Sequence, residues 1–351
     1  MAITISGNGI TTNEILDGTI TTDDISASDV TSLKSGRKNI IINGDMQVSQ
    51  RGDYTTATSI SQGAYSLDRW KTWQSNTSPT VQQTTLTTGG ITYDAYKLLA
   101  TTTTASGYME VAQLIEDKNF KYILGQEVTL SAYVQSNHPV KLSIWTNQSG
   151  SYIQSSAHPA DGSVVKLTVT YTVPSNSTAF RAYISTYDNA VGTVTSGDYF
   201  TVSLVQLELG DTATDFEHRS YGEELALCQR YFYSTMYLRS ANSLTAPTNN
   251  AHQIQGTRHK FADITGYRSQ DVMHPVRMRT PPSIVFYNHN NSGVSGQWQL
   301  YSETGASQNF AGFTTDARET SFIFAGYTGV SVGTSGNSCV SFVHWTADAE
   351  L

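Results

Sequence analysis

Trp145 stands where an aromatic side chain can meet a ligand. In VKLSIWTN, residues 140–147, Val140, Leu142 and Ile144 alternate with Lys141, Ser143 and Trp145. Successive side chains on a strand point to opposite faces. The aliphatic phase faces a core, and Trp145 shares the other face with a lysine and a serine. An indole among polar groups can stack on the apolar face of a sugar ring while its neighbours bind hydroxyls. Burial against a neighbouring subunit suits the same position equally well. Trp70 and Trp73 lie three apart, so on one strand they take opposite faces: one is core, the other exposed or at an interface.

A second aromatic group lies near the C-terminus. Tyr287, Trp298 and Tyr301 accompany Asn288, His289, Asn290 and Asn291. The stretch NHNNSGVSGQ, 288–297, is polar and contains glycine, and reads either as an exposed recognition loop or as a plain hairpin connection. Trp145, Tyr287, Asn288, Trp298 and Tyr301 are therefore the candidate carbohydrate contacts.

Covalent chemistry has little support. There is no H-E-x-x-H, G-x-S-x-G, P-loop or C-x-x-C. His138, His158, His218, His252, His259, His274, His289 and His344 are scattered, none at a metal-ligand spacing. Glycan cleavage needs two carboxylates at a defined separation. Asp68, Glu110, Glu127, Asp188 and Asp198 are present, but nothing in the sequence pairs them. The chain reads as non-enzymatic, with no cofactor. Arg51-Gly52-Asp53 and four N-x-[ST] triplets are chance matches in a chain this rich in Ser and Thr.

Strands must position these residues. In 164–174, Val165, Leu167, Val169, Tyr171 and Val173 line one face, with Lys166 and three threonines on the other. In 127–135, Val128, Leu130, Ala132 and Val134 oppose Thr129, Ser131 and Tyr133. Further strands are expected at 39–43, 67–73, 140–146, 179–186 and 199–209, and in a distal set at 283–288, 297–301, 309–313, 321–326 and 339–345. Turn signals such as Asn43-Gly44, Gly89-Gly90 and Asp161-Gly162 separate several of them. One helix signal stands out. Ser220-x-x-Glu223 has the capping-box form, predicting a short helix over 221–229 that joins two β domains.

The first 36 residues follow another rule. Ile5, Ile10, Ile15, Ile20, Ile25 and Val30 recur every five positions among polar residues. A step of five suits neither a helix nor a strand. One apolar residue per pentad builds no core alone, so the tract must dock on a partner or wind with copies of itself. Five acidic residues precede Lys34, which fits a basic partner surface.

Composition agrees with a strand-rich surface protein. The 351 residues are 14% charged, against about 25% in typical soluble chains, and include 20 Tyr and 27 Gly. The net charge of -8 argues against a nucleic-acid partner. No apolar run reaches a membrane-spanning length and no export signal opens the sequence, so synthesis in the cytoplasm without membrane insertion is expected. Cys228 and Cys339 read as small core residues rather than a bridge.

Three stretches carry a resemblance. NIIINGDMQVSQRG (39–52) with AYSLDRW (64–70), QLELGDTATDFEHRSYGEELALCQRYFYS (206–234) and the terminal WTADAEL (345–351) together resemble tail fibre and receptor-binding proteins of short-tailed bacteriophages, particularly those of marine bacteria. NGDM and QLELG also resemble the first and last strands of carbohydrate-binding-module jelly rolls. Those modules often hold a structural calcium, for which no ligands can be assigned here. The resemblance implies a homotrimer in the virion, joined through its N-terminus to tail tube, nozzle or portal-adaptor proteins and binding host cell-surface polysaccharide. Two rivals are a structural neck protein without receptor binding and a glycan-depolymerising tailspike. The expected architecture is all-β: an anchor over 1–36, a jelly-roll β-sandwich over 37–217, a connector helix and first strand over 218–234, and a second β-sandwich over 235–351 that carries the receptor site.

Overall fold

The computed structural model describes residues 37–102, 107–187, 194–235, 252–261, 264–269, 271–288, 297–302, 307–311, 313–328 and 338–351. The pentad residues Ile5, Ile10, Ile15, Ile20, Ile25 and Val30 lie outside them.

Eleven strands form the first unit: β1 (Thr58–Ser59), β2 (Lys71–Ser75), β3 (Pro79–Thr88), β4 (Ile91–Ala100), β5 (Tyr108–Ile115), β6 (Glu127–Ser136), β7 (Lys141–Thr146), β8 (Ile153–Gln154), β9 (Val164–Thr172), β10 (Phe180–Ser185) and β11 (Tyr199–Leu209). They make two antiparallel sheets, ordered β1-β3-β4-β11-β6-β9 and β2-β5-β10-β7-β8. The alternating aliphatic residues of both sheets meet between them. Val128, Leu130, Leu142, Ile144, Ile184, Phe200 and Val202 are fully buried there. This is an all-β jelly-roll sandwich, with inward and outward side chains alternating along each strand.

A short helix α1 (Asp117–Phe120) follows β5, and α2 (Tyr221–Gln229) leaves the sandwich. The capping box at α2 does not form. Ser220 makes no side-chain cap bond; its backbone carbonyl accepts from the amides of Glu223 and Glu224 at 3.0 Å each. Glu223 instead pairs with Arg37, and Glu224 accepts from the Asn43 amide at 2.6 Å. Charged and buried partners have drawn both carboxylates away from the helix start.

Ten strands follow: β12 (Phe232–Ser234), β13 (His252–Phe261), β14 (Ile264–Ser269), β15 (Val272–Met273), β16 (Ser283–Asn288), β17 (Gln297–Ser302), β18 (Ser307–Ala311), β19 (Phe313–Ala317), β20 (Ser321–Thr328) and β21 (Ser338–Asp348). All belong to one hydrogen-bonded sheet, whose path β15-β20-β14-β13-β21-β17-β18 branches at β20 and β21. The sheet folds back on itself, so Phe322 of β20 meets Phe286 of β16 and Trp345 of β21, with ring centroids 5.8 and 5.5 Å apart.

Of the expected strands, 39–43 is absent and 67–73 is shifted to Lys71–Ser75. Residues 39–43 form no ladder and bend at Asn43, whose φ is 57°, and side chains satisfy much of their backbone: Gln113 bonds both the amide and the carbonyl of Ile42, and Asn39 bonds the Ile41 amide. Only 71–75 of the next stretch is strand, because Arg69 adopts a positive φ of 71° and Trp70 closes a turn onto Leu67. At Gly44 a side chain has no room: a Cβ would lie 2.2 Å from the carbonyl oxygen of Val205. That carbonyl belongs to a bulge in β11, where Leu204 also has a positive φ of 54°.

Candidate functional site

The two sandwich faces differ in what covers them. Outside the six-stranded sheet, residues 211–219 run across β11 and β6. The Glu208 carboxylate accepts from the Thr214 amide at 2.9 Å, and the Gln206 side-chain carbonyl accepts from the Glu217 amide at 2.8 Å. Lys166 donates to the Thr214 carbonyl at 3.0 Å, and His218 stacks on Tyr93 at 5.7 Å. That face is occupied by the chain itself.

The outer face of the five-stranded sheet has no such strap among the described residues. Strand register arranges its side chains in rows. Trp73 of β2 stands beside Glu110 of β5, then Ser185 of β10 and Lys141 of β7. The next row runs Lys71, Ala112, Tyr183, Ser143 and Gln154. Arg181 and Trp145 are paired beyond it. The inward phase of the same strands, Val111, Leu142, Ile144, Ala182 and Ile184, is buried in the core.

Aromatic rings form a continuous strip over this face. Trp73 lies 5.9 Å from Tyr183, Tyr183 5.3 Å from Tyr152, Tyr152 5.8 Å from Tyr187, and Tyr187 5.3 Å from Tyr108. Arg181 extends the strip: its guanidinium carbon sits 4.7 Å over the Trp145 ring, and it donates to the Tyr183 hydroxyl at 3.3 Å. Trp73, Tyr108, Trp145 and Tyr152 are half-buried, and Tyr187 is 36% exposed. Between the rings, Gln154 donates to Ser143 Oγ at 3.2 Å and to the Tyr187 carbonyl at 3.1 Å. Ser185 donates to Glu110 at 2.9 Å. Burial pushes the Glu110 carboxyl up to about 7, offset in part by the Ser185 bond and Arg181. Tyr183, Ser143 and Ser185 are buried beneath the strip, and the half-buried rings with the Gln154 amide and the Arg181 guanidinium can stack on sugar rings and bond their hydroxyls.

Of the sequence candidates, Trp145 is on this face with Lys141 and Ser143. Trp70 is fully buried and donates to the Asn43 carbonyl at 2.8 Å, while Trp73 takes the outward side. Tyr287 is not an exposed platform. It is 8% exposed and lines a cleft of about 730 Å³ with Tyr54, Tyr65 and Phe232, where the first unit meets the distal sheet. Ser283 and Val285, in the same phase of β16, line the same cleft and stay exposed. Asn288 lies at the end of β16, and Trp298 and Tyr301 on β17; their side chains fall outside the described residues, as do 289–296 of the expected recognition loop. Tyr183, Tyr152, Tyr108, Tyr187 and Arg181 had escaped notice. Alternation in FRAYIS, 180–185, is the signal that places Arg181, Tyr183 and Ser185 opposite the aliphatic phase.

The three resemblance stretches meet elsewhere, at the junction of the two units. Arg51 pairs with Asp348 at 3.0 Å and with Glu350 at 3.2 Å, lying 3.8 Å over the Phe232 ring. Arg69, 1% exposed, pairs with Glu350 and lies 3.7 Å over Tyr231. Arg219 pairs with Glu224, and Arg230 with Glu116 at 2.7 Å. Cys228 is free and fully buried beside Ile42, Val48 and Tyr231. Burial also raises the Asp68 carboxyl, to about 6, against the pull of Arg51 and two bonds from Gln50.

No group of three or more His, Cys, Asp or Glu side chains gathers to hold a metal among the described residues. No described helix is long and apolar enough to cross a membrane.

No family model matches the chain. No curated protein matches it either. Solved structures with some likeness include the enzymatically active domain of tailspike protein 4 from bacteriophage CBA120, at 14% identity and TM-score 0.32, over 49% of this chain. This chain spans 21% of that one. The CBM22-1 xylan-binding domain of Paenibacillus barcinonensis Xyn10C is matched over its whole length and 51% of this chain, at 12% identity and TM-score 0.30. The module TmCBM61, solved with β-1,4-galactotriose, is matched over its whole length and 50% of this chain, at 10% identity and TM-score 0.29. Likeness at that level carries no argument about function; the all-β assignment rests on the strands and their pairing.

Proposed function

We propose that this protein is an attachment component of a phage tail fibre, holding host-surface polysaccharide on the outer face of its five-stranded sheet. The observation that carries the reading is the aromatic strip in which half-buried Trp73, Tyr152 and Tyr108 surround the buried Tyr183, extended by Arg181 over Trp145. Binding rather than cleavage is the better reading of this face. Its described residues include one carboxylate, Glu110, where glycoside hydrolysis uses two.

The virion half of the proposal is supported by the sequence: the pentad of isoleucines over 1–36 and the resemblance of 39–70, 206–234 and 345–351. In this reading the tract joins tail tube, nozzle or portal-adaptor proteins, and three copies make one fibre. Deleting 1–36 leaves soluble trimers that no longer enter virions; truncated protein found on purified tails removes the anchor.

The binding half is tested by affinity electrophoresis in host polysaccharide. Trp73→Ala and Trp145→Ala each weaken retention about five- to thirty-fold, the loss of about 1–2 kcal/mol of ring stacking. Unchanged retention of both folded variants, with parental retention itself intact, moves the site off this face.

A further inference from the structure

The aromatic face has a charge opposite in sign to that of the chain. The protein carries 21 Lys and Arg against 29 Asp and Glu, a net charge of -8. On the outer side of the five-stranded sheet, the described residues set Lys71, Lys141 and Arg181 against Glu110 alone.

Two of these cations are held without a counter-ion. Arg51, Arg69, Arg219, Arg230, Arg277 and Arg318 each meet a carboxylate. Arg181 instead rests on the Trp145 ring and touches the Tyr183 hydroxyl. Lys71 lies 5.2 Å from the ring centroids of both Tyr65 and Trp73. Neither is within ion-pair distance of a described carboxylate. Both are half-buried, so each is positioned by packing, with no described carboxylate close enough to form an ion pair. They flank the strip: Lys71 at the β2 edge beside Trp73, Arg181 on β10 beside Trp145. A planar guanidinium with free N–H groups matches a carboxylate in a two-bond geometry that a neutral hydroxyl cannot reproduce.

We propose that this face selects a carboxylated polysaccharide, a polymer containing uronic acid, with its carboxylates held by Arg181 and Lys71 and its ring faces stacked on Trp73 and Trp145. This rests on the reading that the face binds polysaccharide at all. Glu110 stands beside Trp73 and Ser185, one row from Lys71 and two from Arg181. Arg181, Lys141, Tyr108, Tyr152 and Tyr183 are the charged or titratable groups around it.

The test uses the full chain in affinity electrophoresis and calorimetry. The probes are polygalacturonate, alginate and hyaluronan, the methyl esters of all three, and dextran and xylan. At least one carboxylated polymer is retained, and its methyl ester binds at least ten-fold more weakly. Arg181→Gln and Lys71→Gln each reproduce most of that loss on the acid form and little on the ester. Lys121→Ala, which removes another cation lying over a ring, changes nothing. Circular dichroism melts of each variant separate loss of binding from loss of fold, and Arg181→Lys, which keeps the charge, stands in if Arg181→Gln fails to fold. Equal retention of acid, ester and neutral polymers overturns the selectivity while leaving the sugar-binding face in place. Equal losses for Lys121→Ala and Arg181→Gln overturn it as general charge attraction. No retention on any polymer overturns both readings.

Discussion

Two regions of this molecule place arginine over an aromatic ring, and they differ in what closes the other side. At the junction, Arg51 over Phe232 and Arg69 over Tyr231 are capped by Asp348 and Glu350 and withdrawn from water. On the five-stranded sheet, Arg181 over Trp145 forms no ion pair with a described carboxylate and remains half-buried. The same pair of residue types thus serves as a rivet in one place and an open hand in the other. Satisfaction of the remaining donors separates structural cations from those available to a ligand.

The largest effect that separates the regions is at Arg69. Arg69→Ala leaves Glu350, itself nearly buried, without its partner, removes the stacking on Tyr231 and empties a bond to the Leu114 carbonyl. Breaking a buried pair in this way costs about 3–5 kcal/mol. Arg181→Gln, by contrast, shifts stability by less than about 1 kcal/mol, since its group is half-exposed and unpaired. Urea denaturation of the two variants checks the contrast, and equal midpoints erase it.

The next effect compares carboxyls. Glu110 on the face is raised from 4.5 to about 7, and Asp68 at the junction from 3.8 to about 6. In both, the native state holds its proton more tightly than the unfolded chain. Each contribution to stability is full below the unfolded value and is lost as pH rises through the folded one. Glu110→Gln therefore matches the parent near pH 4.5 and exceeds it by about 2–3 kcal/mol near pH 8. Asp68→Asn removes a decline that ends a unit lower. Denaturation midpoints between pH 4 and 8 read both; a Glu110→Gln profile parallel to the parent's removes Glu110 from the face's titration.

The smallest effect is at Ser220. A working cap contributes about 1 kcal/mol, but this hydroxyl makes no cap bond, so Ser220→Ala changes stability by less than about 0.5 kcal/mol. A loss of a full unit would restore the capping box that the sequence suggested.

Legibility divided along the same line. Strands β6, β7, β9, β10 and β11 were readable because aliphatic and polar residues alternate in them. The hairpin of β3 and β4 was not: PTVQQTTLTT and ITYDAYKLLA are too polar to show a phase, though Val81, Leu86 and Leu98 are buried. Only the Gly89-Gly90 turn between them was visible. Trp145 could be assigned to an outer face from its own octapeptide. Its neighbours could not, because Glu110, Tyr183 and Trp73 converge only through the order β2-β5-β10-β7-β8. The setting of Tyr287 was not legible because the cleft it lines is shared with Arg51, Tyr54 and Tyr65, more than two hundred positions earlier. The most recognisable stretches mark the junction, where buried charge restricts what each position can hold.

Gly44 sets an order of events during synthesis. Its turn is seated on the Val205 carbonyl, and the Val205 amide donates back to the Gly44 carbonyl at 2.8 Å. At ~5–20 residues per second, Val205 is made roughly 10–30 s after Gly44. Throughout that interval the nascent chain carries Ile41, Met46 and Val48 without the partner that buries them, so the ribosome releases a sandwich whose first-made segment is among the last to settle.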